Sequence, residues 1–298
     1  MDSVVLIKEV FDLSVWVELE AKTLRLDPAD LVPAPNPSDL AGLSLAVALG
    51  TGSTTALLLG PVEAERTLGK CLDYGADRAV HLVCPDLDKL ESHQVAGLLA
   101  GAIRGLGLGC DLLFSGHDPS GSGLAGGQTG TQVAAELGLA QLSRVLSLKP
   151  AQSPGRIVAE CALDLGDRVT VEAGPPLHLS LDLEAGPPAY PALEVSLAGL
   201  DRPVERVELA ELGLNPGSLA PRTQRLGLAW PRPRPKKVFT PASNLSAAER
   251  IRQVMGGGVA RKESELLQGE PGDLAGRIID FLTRRRLLGP GRPDREPG

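Results

Sequence analysis

Residues 115–130, SGHDPSGSGLAGGQTG, combine the types and spacing that most readily do chemistry. They follow a short apolar run, 111–114, that predicts a buried strand. They precede 131–137, TQVAAEL, which predicts the start of a helix. A glycine-rich link from strand to helix is where α/β folds hold phosphates. Small residues let the backbone close on the ligand, and the free N–H groups and dipole of the first helical turn favour an anion. The pattern predicts an anion or nucleotide site with Gly127, Gln128, Thr129 and Gly130 at the start of the helix. A glycine loop that holds nothing is the competing reading. Within the loop, Gly121, Gly123 and Gly126 match GxGxxG. A dinucleotide fingerprint opens the first βαβ unit and has an acid about 20 residues on. Here the match follows the fourth strand pattern, and 146–151, LSLKPA, holds no acid. An NAD(P)-dependent oxidoreductase using residues 121–126 stays as an alternative, as does a non-redox sensor of adenine nucleotides.

Other chemistries find less support. The cysteines Cys71, Cys84, Cys110 and Cys161 form no CxxC pair, and the histidines His81, His93, His117 and His178 are as scattered. This argues for reduced thiols in a cytoplasmic protein and against a metal site. No nucleophile–base pair is apparent, so no catalytic residue is assigned. With 37 acids against 30 bases the net charge is −7, which argues against a nucleic-acid binder. The uncharged stretch 40–62 has the length of a membrane span, but its centre, GTGSTT, breaks a helix. No signal peptide or span is predicted.

The elements that must position the loop alternate. Strand patterns at 4–7, 56–59, 79–83 and 112–114 interleave with helix patterns at 37–49, 62–74, 92–106 and 130–137. Asn36 or Ser38 is placed to cap the first helix, and Gly75 to close the second. This repetition predicts an α/β fold: a doubly wound, mostly parallel, Rossmann-like sheet. Patterns at 145–148, 156–161, 168–171 and 178–181 predict added strands, some antiparallel. A Pro- and Arg-rich run at 229–237 predicts an extended arm, followed by helices at 246–255 and 271–288. The expected division is 1–228, a nucleotide-binding domain, and 229–298, a C-terminal helical arm whose last ten residues are expected to lack fixed structure.

Several blocks, in order and spacing, resemble the β subunit of the electron transfer flavoprotein family. They are Val5-Leu6-Ile7-Lys8-Glu9-Val10-Phe11-Asp12, Asn36-Pro37-Ser38-Asp39, Gly60-Pro61 with Thr67, Gly75-Ala76-Asp77-Arg78 and Gln128-Thr129-Gly130, then 181–193. The resemblance covers residues 4–200. It implies an electron-carrier subunit without catalytic residues of its own, paired with a separate α subunit that carries most contacts to a redox-active FAD. It implies AMP, or a second FAD, on this chain, held by Leu6, Asn36, Ala64 and the loop from Gly116 through Gly127 to Thr129. It also implies a flavin-dependent dehydrogenase as partner, met by Leu193 on the loop after a strand. Where members carry an acidic run and an asparagine before Gln-Thr-Gly, this chain has 123–127, GLAGG, leaving Asp118 as the nearest acid. The family's lysine-rich run after the recognition leucine is replaced by 194–202, EVSLAGLDR. This implies a different partner surface.

Overall fold

The computed structural model describes all residues except 13, 16–19, 21–29, 51, 117–127, 187–189, 201, 225, 228–240, 256–265, 267 and 286–298. The chain divides into two compact units, Met1–Trp230 and Pro231–Gly298.

In the first unit the elements run β1 (Ser3–Ile7), β2 (Glu9–Phe11), β3 (Pro33–Pro35), α1 (Pro37–Leu49), β4 (Thr54–Gly60), α2 (Glu65–Asp73), β5 (Arg78–Val83), α3 (Ser92–Gly105), β6 (Leu112–Gly116), α4 (Gln128–Leu137), β7 (Ala140–Pro150), β8 (Ile157–Ala162), β9 (Arg168–Ala173), β10 (Leu177–Leu181), α5 (Leu193–Leu200) and β11 (Glu205–Glu208). Nine strands form one sheet in the order β11-β5-β4-β1-β6-β10-β7-β8-β9. All pairings from β11 to β7 are parallel, and β7-β8-β9 continue antiparallel. The expected α/β fold with added antiparallel strands is therefore present. Strand β10 is not peripheral, however. It lies between β6 and β7, parallel to both.

The alternation of the strands sorts side chains onto two faces. Val5, Ile7, Leu58, Phe114 and Leu179 pack with Leu43 of α1 and Leu68 of α2. Val4, Leu6, Leu57 and Leu113 pack with Leu99 of α3 and Val133 of α4. Leu, Val and Ala carry both layers, as the scarcity of aromatics requires. Three elements had no pattern strong enough to predict: the β2–β3 ribbon, α5 and β11. Each is at most half-buried along most of its length.

The winding reverses at β1. From β1 the chain moves through β4 to β5 on one side, then crosses to β6 on the other. The segments leaving β1 and β6 therefore diverge, and the sheet needs a tie there. Asp39, in the first turn of α1, supplies it. Its carboxylate accepts the Lys8 N–H at 2.8 Å and the Gly116 N–H at 2.7 Å. Gly116 must be glycine, because a Cβ there would fall 2.4 Å from Asp39 Oδ1 and 2.6 Å from Ser38 Cβ. Asp39 is only 3% exposed. Burial pushes its carboxyl up to about 7, against the pull of the two N–H groups, the Asn36 side chain and the Lys8 charge.

The second unit contains α6 (Ala247–Met255) and α7 (Pro271–Arg284), both amphipathic. The Pro- and Arg-rich run of the expected arm, and residues 289–298, lie outside the described residues. Among the described residues, no helix is long and apolar enough to cross a membrane.

Asp39→Asn is expected to lower the unfolding free energy by about 1–3 kcal/mol, since its amide NH2 must face one of the two backbone N–H donors. The pH dependence has a definite sign. The folded carboxyl holds its proton more tightly than the unfolded chain does, so wild-type stability from this group falls as pH rises from about 4 through about 7. Urea unfolding across that range should show the gap between wild type and variant widest at the acid end and narrowing upward.

Candidate functional site

Ligands of open parallel sheets bind outside the carboxyl ends of the strands where the winding reverses. Here that place is the crevice between β1 and β6. Its floor is built locally. Pro37 begins α1 with its φ preset, Asn36 caps it by accepting the Ser38 N–H at 3.4 Å, and the Asn36 N–H donates to the Lys8 carbonyl at 2.9 Å. The start of α1 is thus joined to the end of β1. The β2–β3 ribbon flanks this corner and is pinned to α2 by the Thr67 hydroxyl, which donates to Glu9 Oε2 at 2.5 Å.

The far wall is the start of α4. Its first turn holds Gln128, which is exposed, Thr129, which is half-buried, and Gly130, which is buried. Beneath Gly130 lies a polar pair that sequence reasoning missed. Ser115 Oγ and His178 Nε2 are 2.9 Å apart and buried. A Cβ on Gly130 would stand 2.1 Å from Ser115 Oγ and 3.0 Å from His178 Nε2. Gly130 is therefore required by helix-to-sheet packing. The same closeness leaves no room for a substrate over Ser115, so the pair serves structure. Burial lowers His178 to about 4, which keeps the imidazole neutral, and its Nδ1 has no partner among the described residues.

The expected site residues sort as follows. Asn36 is buried at the start of α1, Gly116 ends β6 against Ser38 and Asp39, and Gln128, Thr129 and Gly130 form the first turn of α4, with Gly130 against Ser115. Leu6 is 7% exposed and packs in the apolar layer on the α3 and α4 side. Ala64 is wholly buried in the short turn after β4, on the opposite layer. Gly127, Asp118 and the GxGxxG match at 121–126 lie outside the described residues. Leu193 is remote from the crevice by its element. It is the first residue of α5 rather than part of a loop, and it is 73% exposed. Helix α5 rests on α2, where Gly199 lies against the Leu72 backbone and the Ser196 hydroxyl donates to the Asp73 carbonyl at 3.3 Å.

Asp39 and Lys8 stood inside quoted motifs but were not assigned to the site. Their signal was the short Asn-Pro-Ser-Asp spacing, which puts an acid in the first turn of a helix. Ser115 and His178 are 63 residues apart and had no local signal. Among the described residues, no cluster of His, Cys, Asp or Glu could hold a metal ion.

Relatives place this architecture. A family model for the electron transfer flavoprotein domain matches residues 24–212. Protein FixA of Azorhizobium caulinodans is 34% identical over 164 residues, 53% of this chain and 57% of that protein. The electron transfer flavoprotein subunit beta of Mycobacterium leprae is 28% identical over 237 residues, 80% of this chain and 77% of that protein. That of Bacillus subtilis is 24% identical over 287 residues, 95% and 97% of the two chains. The chain spans little more than half the length of the FixA proteins it matches, 57% and 53%. The matched segment nevertheless covers over half of the 298 residues and runs from before α1 to the end of β11. On that ground the chain belongs to the electron transfer flavoprotein family and is of its beta-subunit type.

Proposed function

We propose that this chain is one half of a two-chain electron carrier. An α-type subunit holds most of a redox-active FAD. This chain supports that flavin and binds AMP, or a second FAD, in the crevice between β1 and β6. The pair passes electrons between a flavin-dependent dehydrogenase and an acceptor. The observation that carries the reading is the switch point between β1 and β6, with the start of α4 following β6, in a chain whose family match spans both.

The residues present fit an adenine nucleotide. The first turn of α4 supplies N–H groups suited to a phosphate, with the Gln128 amide exposed beside them. Asn36, Gly116, Gln128, Thr129 and Gly130 are the proposed contacts at the starts of α1 and α4 and the end of β6, with Leu6 and Ala64 in the apolar layers on either side. A bound flavin supplies the electron storage. The residues of this chain bind, orient and exclude water, and no bond-making role is assigned to any of them. Leu193 is the proposed anchor for the dehydrogenase, because a few buried apolar side chains can dominate a transient interface.

Three outcomes are expected. Purified alone, the chain should be nearly colourless, and co-purified with its α-type partner it should give a yellow complex. Flavin absorbance reads this directly, and stoichiometric flavin on the isolated chain would refute the two-chain reading. Acid extraction of the complex should release one adenine nucleotide per β-type chain beyond the partner's FAD. Finding neither AMP nor a second FAD would mean the crevice is empty in use. Leu193→Ala should slow electron transfer from the dehydrogenase by about tenfold, the size of a lost anchor. Flavin content and melting temperature should stay unchanged, and unaltered reduction kinetics would remove the anchor role.

A further inference from the structure

Charge is unevenly placed along the chain. Residues 231–298 carry 14 Lys and Arg against 8 Asp and Glu, whereas 1–230 carry 16 against 29. The second unit is thus basic although the chain as a whole is acidic. Such asymmetry points to an anionic partner for the basic part. Its cations are not gathered in one cluster. They are spread over the Pro- and Arg-rich run, both helices and the sequence that follows them.

Both helices of this unit are amphipathic, and neither has a buried residue. On α6, Ile251, Val254 and Met255 share a face and are 59%, 57% and 84% exposed. Helical spacing puts Arg250 and Arg252 at the two borders of that face and Glu249 opposite it. Glu249 is engaged locally, where its carboxylate accepts the Ser246 N–H at 3.0 Å and the Ser246 hydroxyl at 2.7 Å. Helix α7 repeats the arrangement. Leu274, Ile278, Phe281 and Leu282 share a face, with Ile278 and Phe281 each 52% exposed. Arg277 and Arg284 line one border, and Asp273 and Asp280 lie farther round. The Arg285 guanidinium sits over the Phe281 ring, 5.3 Å from its centroid. Helices this short are marginal in water unless an apolar face is covered.

The placement of charge says what covers them. Arginines at the borders hold cations at headgroup level while their stems follow the apolar face, and acids on the far side stay in water. Two short helices with the same pattern need a cover that is apolar, anionic and continuous. A lipid surface receives both in one plane, whereas a protein must supply a matched groove for each. Among the described residues no helix is long and apolar enough to cross a membrane. We propose that α6 and α7 lie in the interface of an anionic lipid surface and hold the chain there reversibly. The proposal stands apart from the two-chain reading above.

The test uses the full chain and lipid vesicles, with binding read by co-sedimentation. Vesicles of phosphatidylcholine and phosphatidylglycerol in equal parts should half-saturate at a lipid concentration about tenfold or more below that for phosphatidylcholine alone. Raising the salt from about 0.1 M to about 0.5 M should weaken that binding. Arg277→Glu combined with Arg284→Glu should weaken it about tenfold or more, while the paired lysine substitutions should stay within about threefold of wild type. Ile278→Asp should also weaken it about tenfold or more, through the apolar face. The melting temperature should stay at the wild-type value in every variant, since neither arginine nor Ile278 is buried. No binding of wild type to the anionic vesicles overturns the proposal, as does equal binding to both compositions. A lowered melting temperature in Ile278→Asp overturns it too, because the face would then be packing within the chain. If Ile278→Asp impairs only association with the α-type subunit, the face docks a protein and the lipid proposal falls.

Discussion

The carboxylate of Asp39, shared between the N–H groups that follow β1 and end β6, is the tie on which the architecture depends. A doubly wound sheet has one place where successive connections part to opposite sides; here the β1–β6 ladder pairs Ser3 to Val5 with Leu112 to Phe114, and the segments beyond it diverge. Two donors, one on each side of that parting, face a single acidic side chain. The helix that carries the acid is fixed in turn by Pro37, by the Asn36 cap and by the Asn36 N–H bond to Lys8. One group thus joins the start of the helix to both strand ends.

On the other wall the same economy of space operates through small residues. Gly116 lets α1 reach β6, and Gly130 lets α4 settle over Ser115 and His178. The two glycines of the phosphate-loop pattern that lie in the described structure are therefore needed for packing. A nucleotide site and a close helix–sheet contact ask for the same residue type for different reasons, and here the contact alone suffices to require it. The buried Ser115–His178 pair adds direction to that contact, since a hydrogen bond between β6 and β10 beneath the helix fixes the height at which α4 begins.

Around this core the periphery carries exposed apolar side chains. The antiparallel extension β7-β8-β9 ends in the Leu165 turn clamped by Arg144, and α5 shows Leu193 while resting on α2 through Gly199. Neither contributes to the parallel core, so either can diverge without disturbing the crevice. The replacement of the family's lysine-rich run by 194–202 fits the same division.

The sequence by itself determined the layers. Short apolar runs and helical apolar patterns fixed β1, β4, β5 and β6 and the helices between them. Asn36-Pro37 set the start of α1 and Gly75 the end of α2, because these signals act over a few residues and need no distant partner. The family was legible too, since the order and spacing of short blocks survive in the chain. Tertiary structure alone decided the rest. Strand β10 inserts between β6 and β7 because its apolar run is buried on both faces, a fact that its pattern does not distinguish from an edge strand. The ribbon β2–β3 and strand β11 are short and half-exposed, so they owe their form to neighbours far away in the chain. Asp39 became a structural tie only when α1 met β6, 77 residues on, and Ser115 and His178 a pair only when β6 and β10 were laid side by side. A sequence records which side chains are available; hydrogen bonds over such separations exist only once packing has excluded water from between the groups that make them.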